Sequence, residues 1–137
     1  MITTGEDIDV RMVHPIQWAN PEQRRGQLFN WMKTTGPMPD DPALHRNMLA
    51  YFSDTMLLDA GLIQHGRSYW DRGLQIASLD HAIWFHEPIN VSAFLLYECD
   101  SPWAGNARGF NRGQFWSQDG TLLASTTQEA LVRPETH

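Results

Sequence analysis

Residues 47–58 read NMLAYFSDTMLL, a nearly continuous apolar stretch with one carboxylate, Asp54, near its middle. At about 100° per residue, the apolar side chains around this stretch form two adjacent stripes of an α-helix. The first stripe is Leu44, Met48, Tyr51 and Thr55, and the second is Leu49, Phe52 and Met56. Apolar surface on most of the circumference is typical of a helix that other structure surrounds. The sequence therefore predicts a helix packed inside its domain.

Asp54 is the unusual residue of this helix, because Asp is a poor helix former and a carboxylate is costly among apolar side chains. Its neighbours three and four positions away are Ala50, Tyr51, Leu57 and Leu58, so no local ion pair accounts for it. Two interpretations remain open. The two apolar stripes leave a narrow polar arc on the helix surface, and Asp54 is either an exposed residue at the edge of that arc or a desolvated carboxylate. In the second case its pKa is raised and it serves as a base.

The segment GPMPDDP (36–42) precedes the helix and predicts where it begins. Asp41 suits the N-cap and Pro42 the first helical position, where its missing N–H costs nothing. We expect the helix to run to about Asp59, with Gly61 ending it.

The rest of the chain has the patterns of β-strands. These segments are 6–14, 24–35, 74–87, 93–116 and 121–133. Within the fourth, SPWAGNARG (101–109) predicts a bend or a bulge. Asp119-Gly120, before the last segment, is a strong hairpin signal. One long helix followed by a meander of strands indicates an α+β domain, with the helix against an antiparallel sheet.

Composition limits the functions that the chain can have. Its 137 residues suit one domain, and 42% hydrophobic with 19% charged residues is typical of a globular protein. The net charge of −6 comes without a run of Lys or Arg, which argues against nucleic acid and anionic membranes as partners. A single cysteine, Cys99, excludes an internal disulfide. With no signal-peptide pattern in MITTGEDIDV and no apolar run of about 18 residues, we expect a cytoplasmic protein.

The six histidines do not have the spacing of a metal site. His81 and His86 are five residues apart on a predicted strand, so they point to opposite faces. His14, His45 and His65 have no Cys or carboxylate at zinc-like spacing. We therefore expect neither a bound metal nor a cofactor.

Several longer motifs together resemble the acyl-CoA thioesterase II family. They are AYFSDTMLL (50–58), IASLDHAIWFHEP (76–88) and LLYECDSPWAGNARGFNRGQFWSQDGTLLASTTQEALVRP (95–134), extended by VHPIQWANPEQ (13–23) and GPMPDDPALHRNMLAYFSD (36–54). The resemblance implies a hotdog fold, in which a curved antiparallel sheet wraps a long central helix. Members usually carry two such domains, and residues 1–137 resemble the second. We expect a homodimer or a pairing with an N-terminal hotdog domain, because hotdog sites form between two domains.

The resemblance also implies a catalytic set of Asp54, Ser78 and Gln128. Ser78 takes a position that some members fill with Thr, and both hydroxyls bind water. The implied reaction is hydrolysis of medium- to long-chain fatty acyl-CoA to free fatty acid and coenzyme A. Asp54 would act either as a general base on water or as a nucleophile that forms an anhydride. The sequence leaves this choice open, and we favour water.

Further residues are candidates for binding the substrate. His81 is expected to pack or hydrogen-bond near the site, with Asp80 orienting it. Arg108 and Arg112 flank a glycine-rich bend, and either meet coenzyme A phosphates or lie on the solvated surface. Eight aromatic residues suit a core, with some of them lining an acyl channel: Trp84, Phe85, Phe94, Tyr97, Trp103, Phe110, Phe115 and Trp116.

Two other functions are compatible with the sequence. Asp40 and His45 have the Asp-x4-His spacing of hotdog enoyl-CoA hydratases, but the Gly before the Asp and the Asn-Pro pair of that motif are absent. Asp41-Pro42 also has a structural explanation as the helix start. The second alternative is a non-catalytic module that dimerises or binds acyl-CoA, although all three catalytic candidates are present.

Overall fold

The computed structural model describes residues 8–16, 27–67, 71 and 73–134. Within them the chain forms two helices and seven strands. In chain order these are β1 (Ile8–Met12), β2 (Gln27–Thr34), α1 (Pro42–Met56), α2 (Asp59–Gln64), β3 (Leu74–Ser78), β4 (Ala82–Phe85), β5 (Leu95–Gly105), β6 (Arg108–Trp116) and β7 (Leu122–Pro134). Neither helix is both long and apolar enough to cross a membrane. The α+β prediction is confirmed.

All seven strands belong to one antiparallel sheet. The strand order is β1-β2-β5-β6-β7-β3, and β4 also pairs with β7. Strands β3 and β4 therefore share one edge, because β3 pairs along residues 130–134 of β7 and β4 along residues 124–127. The sheet curls around α1 as a half-barrel.

The start of α1 is as predicted, but its end is not. The Asp41 side chain accepts a hydrogen bond from the Ala43 N–H at 3.1 Å, and Pro42 is the first helical residue. The helix ends at Met56, before the predicted Asp59, and α2 follows after a two-residue turn. Gly61 lies inside α2 and does not end a helix. Its missing side chain instead permits close packing, since a Cβ there would lie 3.2 Å from Asn111 Oδ1 and 3.3 Å from Ser101 Oγ.

Two of the predicted strands are interrupted. The segment 74–87 is divided into β3 and β4, because Leu79 and Asp80 both donate to the Glu129 carbonyl, at 2.9 and 3.4 Å. The segment 93–116 is the β5–β6 hairpin, with the predicted irregularity between Asp100 and Trp103. Its turn residues, 106–107, both have positive φ angles, 52° and 60°, as a two-residue type I′ hairpin requires.

The predicted hairpin at Asp119-Gly120 is confirmed, with Gly120 at a φ of +88°. The first predicted strand is shorter than expected at five residues, and residues 6–7 and 24–26 lie outside the described part of the chain.

The core lies between α1, α2 and the concave face of the sheet. Its largest fully buried side chains include Tyr97, Phe52, Phe115, Leu28, Met32 and Leu49. The rings of Tyr97 and Phe115 stack with centroids 3.9 Å apart. The Tyr97 hydroxyl donates to the Ser53 carbonyl of α1 and pairs with Thr126 Oγ1, each at 2.9 Å. This contact joins the helix to the strands beneath it.

The wrapping of α1 is partial in the single chain. Leu44 is 40% exposed and the Asp54 side chain is 60% exposed. The apolar surface that the sequence places around the helix therefore continues onto a face that the sheet leaves open.

Gly113 is predicted to be essential for this packing. A Cβ at Gly113 would lie 2.4 Å from Tyr97 Cε1 and 2.5 Å from Thr126 Oγ1. Gly113→Ala should lower the free energy of unfolding by about 1–3 kcal/mol, the usual cost of overpacking a core. Urea denaturation measures this change. Gly109→Ala is the control, because nothing lies within 4 Å of a Cβ there. Equal effects of the two substitutions would contradict the close approach.

Cys99 and Tyr97 should make the fold less stable in alkaline solution. Burial raises the pKa of the Cys99 thiol and of the Tyr97 phenol, so both stay protonated in the folded chain. In the unfolded chain they release protons near pH 8.5 and pH 10, respectively. The free energy of unfolding should therefore fall above about pH 8.5, and further above about pH 10.

Urea midpoints between pH 7 and 11 measure this dependence, with Cys99→Ala as the comparison. That variant should lose the part of the decline between about pH 8.5 and 10. A decline of the same slope in both proteins would show that Cys99 does not cause it.

Candidate active site

The structure brings Asp54, Ser78 and Gln128 together around one amide group. Gln128 Nε2 donates to Asp54 Oδ1 at 2.9 Å and to Ser78 Oγ at 2.8 Å. The three residues come from α1, β3 and β7. Gln128 lies 74 positions from Asp54 and 50 positions from Ser78 in the sequence. Both bonds have ordinary lengths for N–H···O contacts. A carboxylate, a hydroxyl and an amide thus form one hydrogen-bonded group.

The interruption between β3 and β4 lies directly beside Gln128. Ser78 is opposite Ala130 and Ala82 is opposite Thr127, so Gln128 lies next to residues 79–81, where the regular strand register is interrupted. Ser78 is the last residue of β3. The break in the edge strand therefore lies at the position where Ser78 and Gln128 meet Asp54 of α1.

Burial differs sharply within the group. Gln128 is fully buried, whereas the Asp54 side chain is 60% exposed. The amide thus forms the floor of the site and the carboxylate lies at its mouth. Of the two interpretations of Asp54, the single chain shows the exposed one, and the desolvated carboxylate is not observed.

His81 lies beside the group, but Asp80 does not orient it. His81 Nε2 is 2.7 Å from Ser53 Oγ, and Nδ1 is 4.0 Å from Asp54 Oδ1. Because the Ser53 hydroxyl donates to the Ala50 carbonyl, Nε2 must carry the hydrogen in its contact with Ser53. The Asp80 carboxylate instead accepts from the Glu129 N–H at 2.8 Å, across the strand interruption. Ser53, not Asp80, therefore sets the orientation of the ring.

Three residues that support the site were missed as site residues from the sequence. Ser53 contacts His81, and its carbonyl accepts from Tyr97, which also pairs with Thr126. Tyr97 was assigned only to the aromatic core. The available signal was its hydroxyl, since a buried Tyr usually finds a hydrogen-bond partner.

Arg108 and Arg112 lie on the face of the sheet opposite to Gln128. Side chains alternate along β6, and Asn111, between the two, is fully buried against the helices. Arg108 pairs with Glu129 at 2.9 Å. Arg112 makes two hydrogen bonds to Asp100, at 3.1 and 2.7 Å, which raise its pKa. The structure thus does not bring these arginines to the Asp54 group, and their contact with coenzyme A stays a prediction.

The aromatic residues divide between core and surface. Tyr97 and Phe115 are fully buried, but Trp84, Trp103 and Phe85 are 53%, 47% and 39% exposed. The expected core position is therefore wrong for these three residues in the single chain, and an acyl channel lined by some of the eight stays a prediction. Trp84 and Phe85 lie together on the β4 edge.

His45 is engaged in structure and does not form a dyad with Asp40. Its Nε2 lies 2.9 Å from the Pro39 carbonyl, and its Nδ1 accepts from the Val91 N–H at 3.1 Å. Both ring nitrogens are thus occupied by backbone atoms, which argues against hydratase chemistry there. Across the described ranges, no three His, Cys, Asp or Glu side chains cluster as metal ligands would.

The architecture defines the class of protein. A conserved protein of unknown function with a hot dog fold, from Alicyclobacillus acidocaldarius, superposes with a TM-score of 0.74 at 22% identity, over 99% of this chain and 51% of that chain. The fold is therefore a hotdog, as the sequence resemblance implied.

The sequence matches the family described as acyl-CoA thioesterase over residues 10–131. It is 39% identical over 107 residues to the acyl-CoA thioesterase 2 of Haemophilus influenzae, covering 78% of this chain and 37% of that protein. The acyl-CoA thioesterase II structure from Mycobacterium marinum superposes with a TM-score of 0.81 at 37% identity, over 96% of this chain and 50% of that chain. The chain belongs to the acyl-CoA thioesterase family, and it spans less than two fifths of that Haemophilus relative.

Proposed function

We propose that this domain hydrolyses medium- to long-chain fatty acyl-CoA to free fatty acid and coenzyme A. The observation that carries the proposal is the double hydrogen bond of Gln128 Nε2, which joins the Asp54 carboxylate to the Ser78 hydroxyl. The names of the relatives, acyl-CoA thioesterases, supply the substrate class. Residues 1–137 then act as one hotdog domain that carries its own catalytic side chains.

Each atom of the group has a distinct part in this reaction. Gln128 occupies Asp54 Oδ1, so Oδ2 accepts the proton of the attacking water. Ser78 Oγ accepts from Gln128 and keeps its own hydrogen, which it donates to the water or to the developing oxyanion. Water adds to the thioester carbonyl, the C–S bond breaks, and the leaving sulfur takes up the proton held by Asp54. Both N–H groups of the Gln128 amide are already engaged, so Gln128 orients its two partners.

The site is completed by a second hotdog domain. The mouth of the site is open, since the Asp54 side chain is 60% exposed. The edge of the sheet near it is also apolar and uncovered, with Leu79 at 52% and Trp84 at 53% exposed. Unpaired apolar strand edges promote association with another chain. A second copy or a preceding hotdog domain would cover both features and desolvate Asp54, and His81 would then lie next to the bound thioester.

Asp54→Asn should abolish most of the thioesterase activity. The amide keeps the size of the side chain but has no carboxylate to accept a proton, so kcat should fall by about 10²–10⁴-fold. DTNB detection of free thiol from an acyl-CoA series measures this loss, and the series also reports the chain-length preference. The protein's one thiol, Cys99, is buried, so it contributes little background.

Asp40→Asn is the matched control, because Asp40 is exposed and belongs to the rejected hydratase dyad. Its thiol release should equal that of the unmodified chain. Undiminished activity in Asp54→Asn would overturn the mechanism. Hydration of crotonyl-CoA without thiol release would favour the hydratase, and acyl-CoA binding without turnover would favour a non-catalytic module.

The chain, of 15.7 kDa, should sediment as a dimer through the β3–β4 edge. Trp84→Glu places a charge on that exposed edge and should shift the sedimentation coefficient to that of the monomer. Trp103→Glu is the control, because Trp103 is 47% exposed on the β5–β6 hairpin, away from this edge. If the unmodified chain sediments as a monomer, the homodimer is wrong, and a separate hotdog domain is then the partner that completes the site.

A further inference from the structure

A row of buried polar side chains crosses the sheet behind the candidate active site. Ser101, Asn111 and Gln128 lie on the adjacent strands β5, β6 and β7. Asn111 is directly opposite Gln128 in the strand register. Asn111 and Gln128 are fully buried, and Ser101 is 5% exposed. Ser101 and Asn111 also line a cavity of about 450 Å³ beside α2.

Four polar atoms of this row have no hydrogen-bond partner in the described chain, and they do not bond to one another either. They are Gln128 Oε1, both amide atoms of Asn111 and Ser101 Oγ. Buried polar groups in native proteins are nearly always paired, because an unpaired group loses its bonds to water without replacement. Among the side-chain polar atoms of the row in the described chain, only Gln128 Nε2 forms hydrogen bonds. It donates to Asp54 and to Ser78.

The donors and acceptors of the row are complementary when they are read from Ser101 through Asn111 to Gln128. The Ser101 hydroxyl has a hydrogen for Asn111 Oδ1, and Asn111 Nδ2 has hydrogens for Gln128 Oε1. Gln128 Nε2 in turn donates to Asp54 and Ser78. Each amide then accepts at its oxygen and donates at its nitrogen, and such chains strengthen their members by polarisation.

The backbone places these groups close enough to join. Directly opposed residues on antiparallel strands have Cβ atoms roughly 4.5–5.5 Å apart. The Asn111 and Gln128 amides make no direct hydrogen bond, but at this separation one buried water or a small rotation of either side chain joins them. Asn111 Oδ1 and Ser101 Oγ lie 3.2 and 3.3 Å from one point, the position of a Cβ at Gly61. Both side chains thus turn toward the same spot under α2.

We propose that Asn111 is a positioning residue that holds the Gln128 amide with its nitrogen toward Asp54 and Ser78. The inference rests on the proposed thioesterase function. Without a donor at Gln128 Oε1, the amide can turn over and present its oxygen to the Asp54 carboxylate. Two acceptors would then face each other, and the donor to Ser78 would be lost.

The test compares Asn111→Leu with Asn30→Leu in the full 137-residue chain. Asn30 is the matched control, because it is fully buried in the same sheet with both amide atoms unpaired, but lies on β2. Asn111→Leu should lower kcat about tenfold to a hundredfold, the cost of misplacing a catalytic group, with KM changed less than twofold. Asn30→Leu should leave both constants unchanged. Equal kcat values for the two variants would overturn the inference.

Asn111→Asp gives a readout that a purely structural role would not move. While the introduced carboxyl is protonated, its O–H donates to Gln128 and supports turnover. Once ionised it has no hydrogen to donate, so activity should fall with rising pH, in a step absent from the unmodified chain and from Asn111→Leu. A pH profile without that step would contradict the donor role of Asn111.

Nuclear magnetic resonance separates this inference from the proposed function. The side-chain NH₂ signals of Gln128, assigned with Gln128→Leu, should shift and exchange faster with water in Asn111→Leu but not in Asn30→Leu. Unmodified chain that releases no thiol would refute the thioesterase, and the amide signals would still decide the role of Asn111. Unchanged Gln128 signals in Asn111→Leu would overturn the inference.

Discussion

The buried hydroxyl of Tyr97 fixes the position of α1 on the sheet, and the geometry of the candidate site depends on it. It donates to the Ser53 carbonyl, one residue before Asp54, and pairs with Thr126 on β7, the strand that carries Gln128. Apolar packing alone is non-directional and would allow the helix to slide. A hydrogen bond in a water-free core does not, because it is directional and its loss removes an acceptor of the buried Tyr97 hydroxyl with no water to replace it. The distance between Asp54 and Gln128 is therefore set by a contact outside the site.

The candidate site has a buried part within the sheet and an exposed part on α1. Gln128 is fully buried in the sheet, while Asp54 is largely exposed on α1. A carboxylate in water is a weak base, and one removed from water is a stronger base with a raised pKa. The single domain thus positions the carboxylate, and the proposed second domain would supply the desolvation that tunes it. This division explains why a domain with all three side chains is still expected to need a partner.

Local signals in the sequence predict the elements, and the resemblance names the three residues of the candidate site, which the structure brings together. Asp41-Pro42 and Asp119-Gly120 located a helix start and a hairpin, since each depends on a few adjacent residues. The trio spans 74 positions, beyond any periodicity, and only the family motifs named it. The prediction that Gly61 ends a helix is wrong. The glycine instead permits close packing against Asn111 of β6, a contact that the residues near Gly61 in the sequence do not indicate. The prediction that Asp80 orients His81 is also wrong. The Asp80 carboxylate bonds to the Glu129 N–H at the break in the edge strand, and the sequence does not indicate that break.

The chemistry at residue 128 explains why a neutral amide suits the floor of this site. A carboxylate there would repel Asp54, and both groups could not stay ionised at about 3 Å. An apolar side chain would leave Asp54 Oδ1 and Ser78 Oγ without the donor that now joins them. An amide donates to both without adding charge, but it also brings an oxygen that must be satisfied in the same buried space. Under the proposal above, Asn111, opposite Gln128 on β6, is the residue that satisfies this oxygen.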